Sequence, residues 1–129
     1  MTFGKWRNIA VVVGLATSFG FGLAVAAEDL DAVLKRTNQY FDKGNYDAAL
    51  SEARKLEAGI KAQFGTNHAN YVIALNQLLR IYAAQGKYAD AEVAAERGLA
   101  IRQKVLSPAD PKIAESEVNL ASIYKLEGK

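Results

Sequence analysis

YVIALNQLLRIYAAQGKYADAEVAAERGLAI, residues 71–101, reads as an amphipathic helix, a Gly-Lys-Tyr turn and a second helix rich in alanine. The pattern recurs 42 positions away on either side. Gly44-Asn45-Tyr46 precedes Gly86-Lys87-Tyr88 by that interval, and Gly128-Lys129 follows it by the same interval. Tyr40, Tyr82 and Tyr124 each stand four residues before one of those glycines. A fixed period of this size, carrying one helix pair per unit, marks a helical solenoid in which each pair buries its apolar side against its neighbours. The expected fold class is all-α.

Outward from the centre, the same logic predicts five helices. The first spans about residues 29–42, with Leu30, Val33, Leu34 and Tyr40 as its apolar side and Gly44 as its stop. The second begins near Tyr46. Its residues Tyr46, Ala49, Leu50, Ala53, Leu56 and Ile60 recur at helical and not strand intervals. The third covers about 70–85, with Tyr71, Val72, Leu75, Leu78, Leu79 and Tyr82 on one side. The fourth, about 88–105, carries Ala91, Ala95 and Gly98, small enough to let two backbones approach, with Leu99 and Ile101 adding bulk. Asp110-Pro111 opens the fifth, a capping carboxylate followed by proline at the first helical position, and His68 occupies the equivalent cap 42 residues earlier. This fifth helix reaches about Glu127.

These residues resemble the tetratricopeptide repeat, in the long 42-residue form found in kinesin light chains and many bacterial proteins. The middle unit offers Gly65-Thr66-Asn67-His68, Leu75-Asn76-Gln77-Leu78 with Ile81-Tyr82, Gln85-Gly86-Lys87-Tyr88-Ala89-Asp90-Ala91-Glu92 and Arg97-Gly98-Leu99-Ala100-Ile101. The last gives Asn119-Leu120-Ala121-Ser122-Ile123-Tyr124. The first unit departs with Arg36-Thr37 where Leu78-Leu79 stand, and the last with Glu117-Val118 where Leu75-Asn76 stand. The resemblance implies an α-solenoid of about two and a half repeats, with units near 29–64, 69–106 and a partial 111–129. It also implies that first-helix side chains line a concave, peptide-binding face. By register those are Asn38, with Leu34 and Phe41, in the first unit; Ile73, Asn76 and Arg80 in the second; Ser122 and Lys125, with Glu115, in the third. Asn76 matches the first asparagine of the family's Leu-Asn-Asn-Leu pattern, whose amide offers both donor and acceptor.

Composition narrows the functional classes. The 129 residues lack cysteine, which excludes disulfides, thiol catalysis and cysteine-ligated zinc, and one histidine leaves little for a metal site. Sixteen Lys and Arg stand against fourteen Asp and Glu, but Lys5 and Arg7 are the only charged residues before Glu28, so the remainder is balanced. A chain without a basic stripe is not expected to bind nucleic acid. No nucleophile elbow, phosphate loop or His-Glu-x-x-His helix is present. His68 is the one candidate general base, and its place before a helix favours a structural role; a hydrolase using it is the least favoured alternative. Glu52, Glu57, Glu92 and Glu96 read as solvated helix faces. Neither cofactor nor metal is expected.

Residues 1–26 read as a secretory signal peptide. Lys5 and Arg7 precede an apolar run from Ile9 to Leu23, and Ala24-Val25-Ala26 supplies small residues for cleavage after Ala26 or Ala27. Gly14, Gly20 and Gly22 interrupt the run, which falls short of the ~20 residues of a spanning helix. A retained anchor is the alternative. A periplasmic or secreted domain of residues 27–129, with no membrane attachment after cleavage, is the expectation.

Solenoids usually need about three repeats. In the fifth helix Ile113, Leu120 and Tyr124 form one line, with Ile123 and Leu126 displaced around it. That width predicts packing on a second copy or another protein through this C-terminal helix; a segment of a longer array is the competing explanation. The function expected is a protein- or peptide-binding adaptor without chemistry of its own, or else an accessory subunit of an envelope enzyme or transport complex.

Overall fold

The computed structural model describes residues 28–129, so the expected leader and its cleavage near Ala26 lie outside the described residues. Five helices follow in order: α1 (Leu30–Asp42), α2 (Tyr46–Phe64), α3 (Ala69–Ala84), α4 (Tyr88–Val105) and α5 (Pro111–Glu127). Each packs on the next in sequence, as a solenoid requires. Four of the five begin on a side-chain cap. Asp29 accepts from the Asp31 N–H, Asn45 from Ala48, His68 through Nδ1 from Asn70, and Asp110 from Lys112 just after Pro111. Lys87 stands where Asn45 does in the first unit but makes no such cap, so α4 starts without a side-chain acceptor.

The three glycine turns are equivalent hinges. Gly44, Gly86 and Gly128 have φ of 72°, 74° and 76°. The N–H after each glycine returns to the carbonyl of the tyrosine that precedes it by four: Asn45 to Tyr40 at 2.9 Å, Lys87 to Tyr82 at 2.8 Å, Lys129 to Tyr124 at 2.9 Å. This is the hydrogen-bonded C-terminal cap that needs a left-handed residue. A Cβ at any of the three would meet nothing within 4 Å, so backbone conformation and not space demands glycine.

Packing is continuous through three clusters. Leu30, Val33, Leu56, Ile60, Tyr71, Val72, Leu75 and Ile101 join the first four helices. Ala49, Leu50 and Ala53 of α2 meet Leu78 and Ile81 of α3, with Tyr40 and Tyr46 against them. Leu79 of α3 meets Ala91, Ala94 and Ala95 of α4 and Ile123 of α5. The central helix is therefore covered from two sides, which explains why Ala74 and Ile81, outside the expected apolar side, are fully buried. Gly98 packs on α3, where an added Cβ would lie 3.4 Å from Val72 Cγ1, at the short end of ordinary contact.

Two expectations are corrected. Ile123 does not lie off the α5 interface but at its centre, only 3% exposed, together with Ser116 and flanked by Leu120. Residues 116, 120 and 123 follow four-then-three spacing, and the stripe is hard to see because its first member is a serine. Ser116 is buried because its Oγ accepts from the Arg102 guanidinium at 2.9 Å, which also reaches the Lys112 carbonyl at 2.7 Å. The apolar residues left over on α5 are Val118 and Leu126. The glutamates, too, are more than solvated faces. Glu52 is buried and accepts from Arg36 Nε and Lys55 Nζ, both at 3.1 Å, while Arg36 also pairs with Glu28. Glu57 accepts the Tyr71 hydroxyl at 2.5 Å, Glu96 that of Tyr124 at 3.3 Å, and Glu92 takes Lys129 Nζ at 2.6 Å.

The repeat register also exposes what the outer helices present. Val72, Leu75 and Leu79 are buried in α3, whereas their counterparts 42 residues on, Ala114, Glu117 and Ala121, are exposed in α5. Ala74, Leu78 and Ile81 of α3 correspond to Ala32, Arg36 and Gln39 of α1. Polar and small side chains thus replace apolar ones on both outer faces.

Candidate peptide-binding face

The first helices of the three units, α1, α3 and α5, carry the expected contact residues at equal intervals. Asn38, Arg80 and Ser122 are one repeat apart in sequence, and the first two meet directly. Arg80 Nη2 donates to Asn38 Oδ1 at 2.7 Å and to Gln77 Oε1 at 2.8 Å. Its guanidinium carbon lies 4.1 Å from the centre of the Phe41 ring, a cation–π contact that holds the group against α1. Burial pulls the Arg80 pKa below its ordinary value, with Asp42 opposing, yet a guanidinium stays charged at any physiological pH. Both hydrogens of Nη2 are committed, while the remaining three N–H donors have no hydrogen-bond partner among the described residues.

Asn76 sits one turn before Arg80, half-buried, and its amide makes no hydrogen bond among the described residues. Ile73, another turn back, is half-buried and packs against the first core cluster. In α5 the two expected residues differ. Lys125 is exposed, whereas the Ser122 hydroxyl donates to the Val118 carbonyl of its own helix at 2.8 Å and keeps only acceptor capacity. Glu115 leans toward α4, with an oxygen 3.6 Å from Arg102 Nη1. The structure thus joins Asn38 and Arg80, sets Asn76 and Ile73 beside them, and leaves Ser122 and Lys125 on the next helix.

Gln77 and Phe41 complete the arginine's seat. Periodicity alone gives no hint of Gln77, whose role appears only once Arg80 and Asn38 are seen to face each other. His68 is a structural residue in its observed setting: Nδ1 holds the α3 cap, and its ring lies 4.7 Å from that of Phe64.

The model of the tetratricopeptide repeat family matches residues 34–104, from α1 through α4. The chain belongs to the tetratricopeptide repeat family. A search of curated proteins finds no match. Tetratricopeptide repeats generally mediate protein–protein interactions and are typically non-enzymatic.

Proposed function

We propose that the chain is an exported, non-enzymatic adaptor that holds a segment of a partner polypeptide on the face formed by α1, α3 and α5. The observation that carries this reading is the fixed Arg80 guanidinium. Phe41, Asn38 and Gln77 hold it from two helices, and three unused donors remain one turn from an unengaged Asn76. Such a pair suits a peptide backbone: the arginine receives carbonyl or carboxylate oxygens, and the asparagine amide serves both an N–H and a C=O. Ile73 and Leu34 supply apolar contact beside it.

The 42-residue period supports the kinesin-light-chain type of repeat. Export rests on Lys5, Arg7, the apolar run to Leu23 and the Ala24-Val25-Ala26 site. Association of two copies through α5 has narrow support in Val118 and Leu126, because α4 already uses Ile123 and the counterparts of the α3 core residues are Ala114, Glu117 and Ala121. We therefore favour a monomer that binds a different polypeptide.

The test is capture of partners from the envelope fraction by the processed wild-type chain, Asn76→Ala and Arg80→Ala. Loss of the same partner from both variants, with helicity unchanged, supports the reading. Equal recovery by all three overturns it.

A further inference from the structure

A second polar feature lies away from the groove, where the α2–α3 loop meets α4. Thr66, Asn67, Arg97, Ala100, Ile101 and Lys104 line a shallow cleft of about 240 Å³. None of them belongs to the proposed peptide face. Arg97 and Lys104 are seven residues apart on α4, hence about two turns along one side of the helix, and both are exposed. Neither forms an ion pair among the described residues.

Arg97 is nevertheless held in place. Its guanidinium carbon lies 4.9 Å from the centre of the Tyr71 ring, and Tyr71 is fixed in turn by burial and by its bond to Glu57. The Glu57 carboxylate accepts the Tyr71 hydroxyl and forms no ion pair with Arg97 among the described residues. Across the cleft the loop presents the Thr66 hydroxyl and the Asn67 amide, neither of which has a side-chain partner among the described residues. Lys104 also suits the negative end of the α4 dipole, but Arg97 stands two turns inside the helix where that effect has faded.

We infer that this cleft binds a small oxyanion of the phosphate type, gripped by Arg97 and Lys104 and oriented by Thr66 and Asn67. Arg97 supplies the planar fork of donors that matches tetrahedral oxygens, and Lys104 a mobile point charge. The hydroxyl and amide complete the donor set without adding charge. A monoanionic carboxylate offers fewer oxygens and less charge to two cations, so it binds more weakly.

Amide-resolved NMR of the processed chain at fixed pH and ionic strength tests the site with inorganic phosphate, glucose 6-phosphate and acetate. Saturable shifts at Thr66, Asn67 and Lys104 with the phosphates are expected, with acetate far weaker. Lys104→Gln and Arg97→Gln each weaken binding about tenfold. Lys104 is exposed and forms no ion pair among the described residues, so its variant stays informative if loss of the Tyr71 contact disturbs the other. Tighter binding of glucose 6-phosphate identifies an esterified ligand, and tighter binding of inorganic phosphate the free ion. Shifts that rise without saturation, match those from acetate, or persist unchanged in both variants overturn the inference.

Discussion

Arg80 donates a 2.7 Å hydrogen bond to Asn38, a residue one full repeat earlier in the chain. Positions that are copies of each other in sequence therefore touch in space, which is what stacking at a constant rise requires. With the cation–π contact to Phe41, this bond joins the first helices of two units across the second helix that packs against both. It also turns a long, flexible side chain into a preset donor, lessening the ordering needed when a ligand arrives.

The coupling of these two residues is measurable. In a double-mutant cycle of Asn38→Ala and Arg80→Ala, chemical denaturation is expected to give an interaction energy of about 0.5–1 kcal/mol, the range for an exposed charge-assisted contact. Each single variant unfolds slightly earlier. Strict additivity means that the bond does not persist in solution.

The glycine hinges and the buried glycine call for different substitutions. Gly86→Ala puts a Cβ on a residue at φ 74° and is expected to lose about 1–2 kcal/mol although its surroundings are open. Gly86→Asn loses less, because asparagine tolerates that region. Gly98→Ala keeps normal helical geometry and gains helix propensity, and its methyl would meet Val72 Cγ1 at 3.4 Å, the short end of ordinary contact, so any loss is small. Pairing it with Val72→Ala is expected to recover part of any loss if packing is the cause. Equal effects of Ala and Asn at position 86 count against the hinge argument.

Much of the architecture was legible because it is written in a repeated local code. Glycine stops, the Asp110-Pro111 start and helical spacing each depend on neighbours a few residues away, and all five helices fall within about a residue of expectation. What was hidden depends on partners distant in sequence. Ser116 and Arg102 look like surface residues until α4 and α5 bring them together, and Glu52 looks solvated until Arg36 reaches it from α1. For the candidate face, the shared register of Asn38, Arg80 and Ser122 was legible, and the structure brings the first two together. The chemistry of the face was not: Gln77, the contact of Arg80 with the Phe41 ring and the self-engaged Ser122 hydroxyl emerge only from three-dimensional contacts.

Acid should reveal Glu52. Burial alone would raise its pKa, but hydrogen bonds from Lys55 and Arg36 outweigh this and hold it below the usual 4.5. A depressed carboxylate contributes stability that is fully present above its unfolded pKa and disappears as the pH falls through the lower folded value. Wild-type stability is therefore expected to decline below about pH 4.5, and Glu52→Gln to be less stable at neutral pH with a shallower acid decline. Glu92, held low by its hydrogen bond from Lys129, leaves a residual slope in that variant. Identical slopes for both proteins mean that Glu52 is not paired in solution.

At the alkaline end the responsible group is Tyr71. Burial, then its hydrogen bond to Glu57, pushes the phenol up from 10.0 to about 12. The folded state thus favours neutral tyrosine; its contribution is complete below pH 10 and is lost as the pH climbs through the folded value near 12. Absorbance at the tyrosinate band should show one of the six tyrosines ionising late, and Tyr71→Phe should remove that component. The same change keeps the ring under Arg97 while leaving Glu57 without its donor, so a loss of about 1–2 kcal/mol at neutral pH is expected with the helical spectrum intact. Tyr124 is also raised, by burial and then by Glu96, so a smaller late fraction survives in the variant. Superposable titrations, once scaled for five tyrosines against six, would show that the Tyr71 hydroxyl ionises freely and does not join α2 to α3.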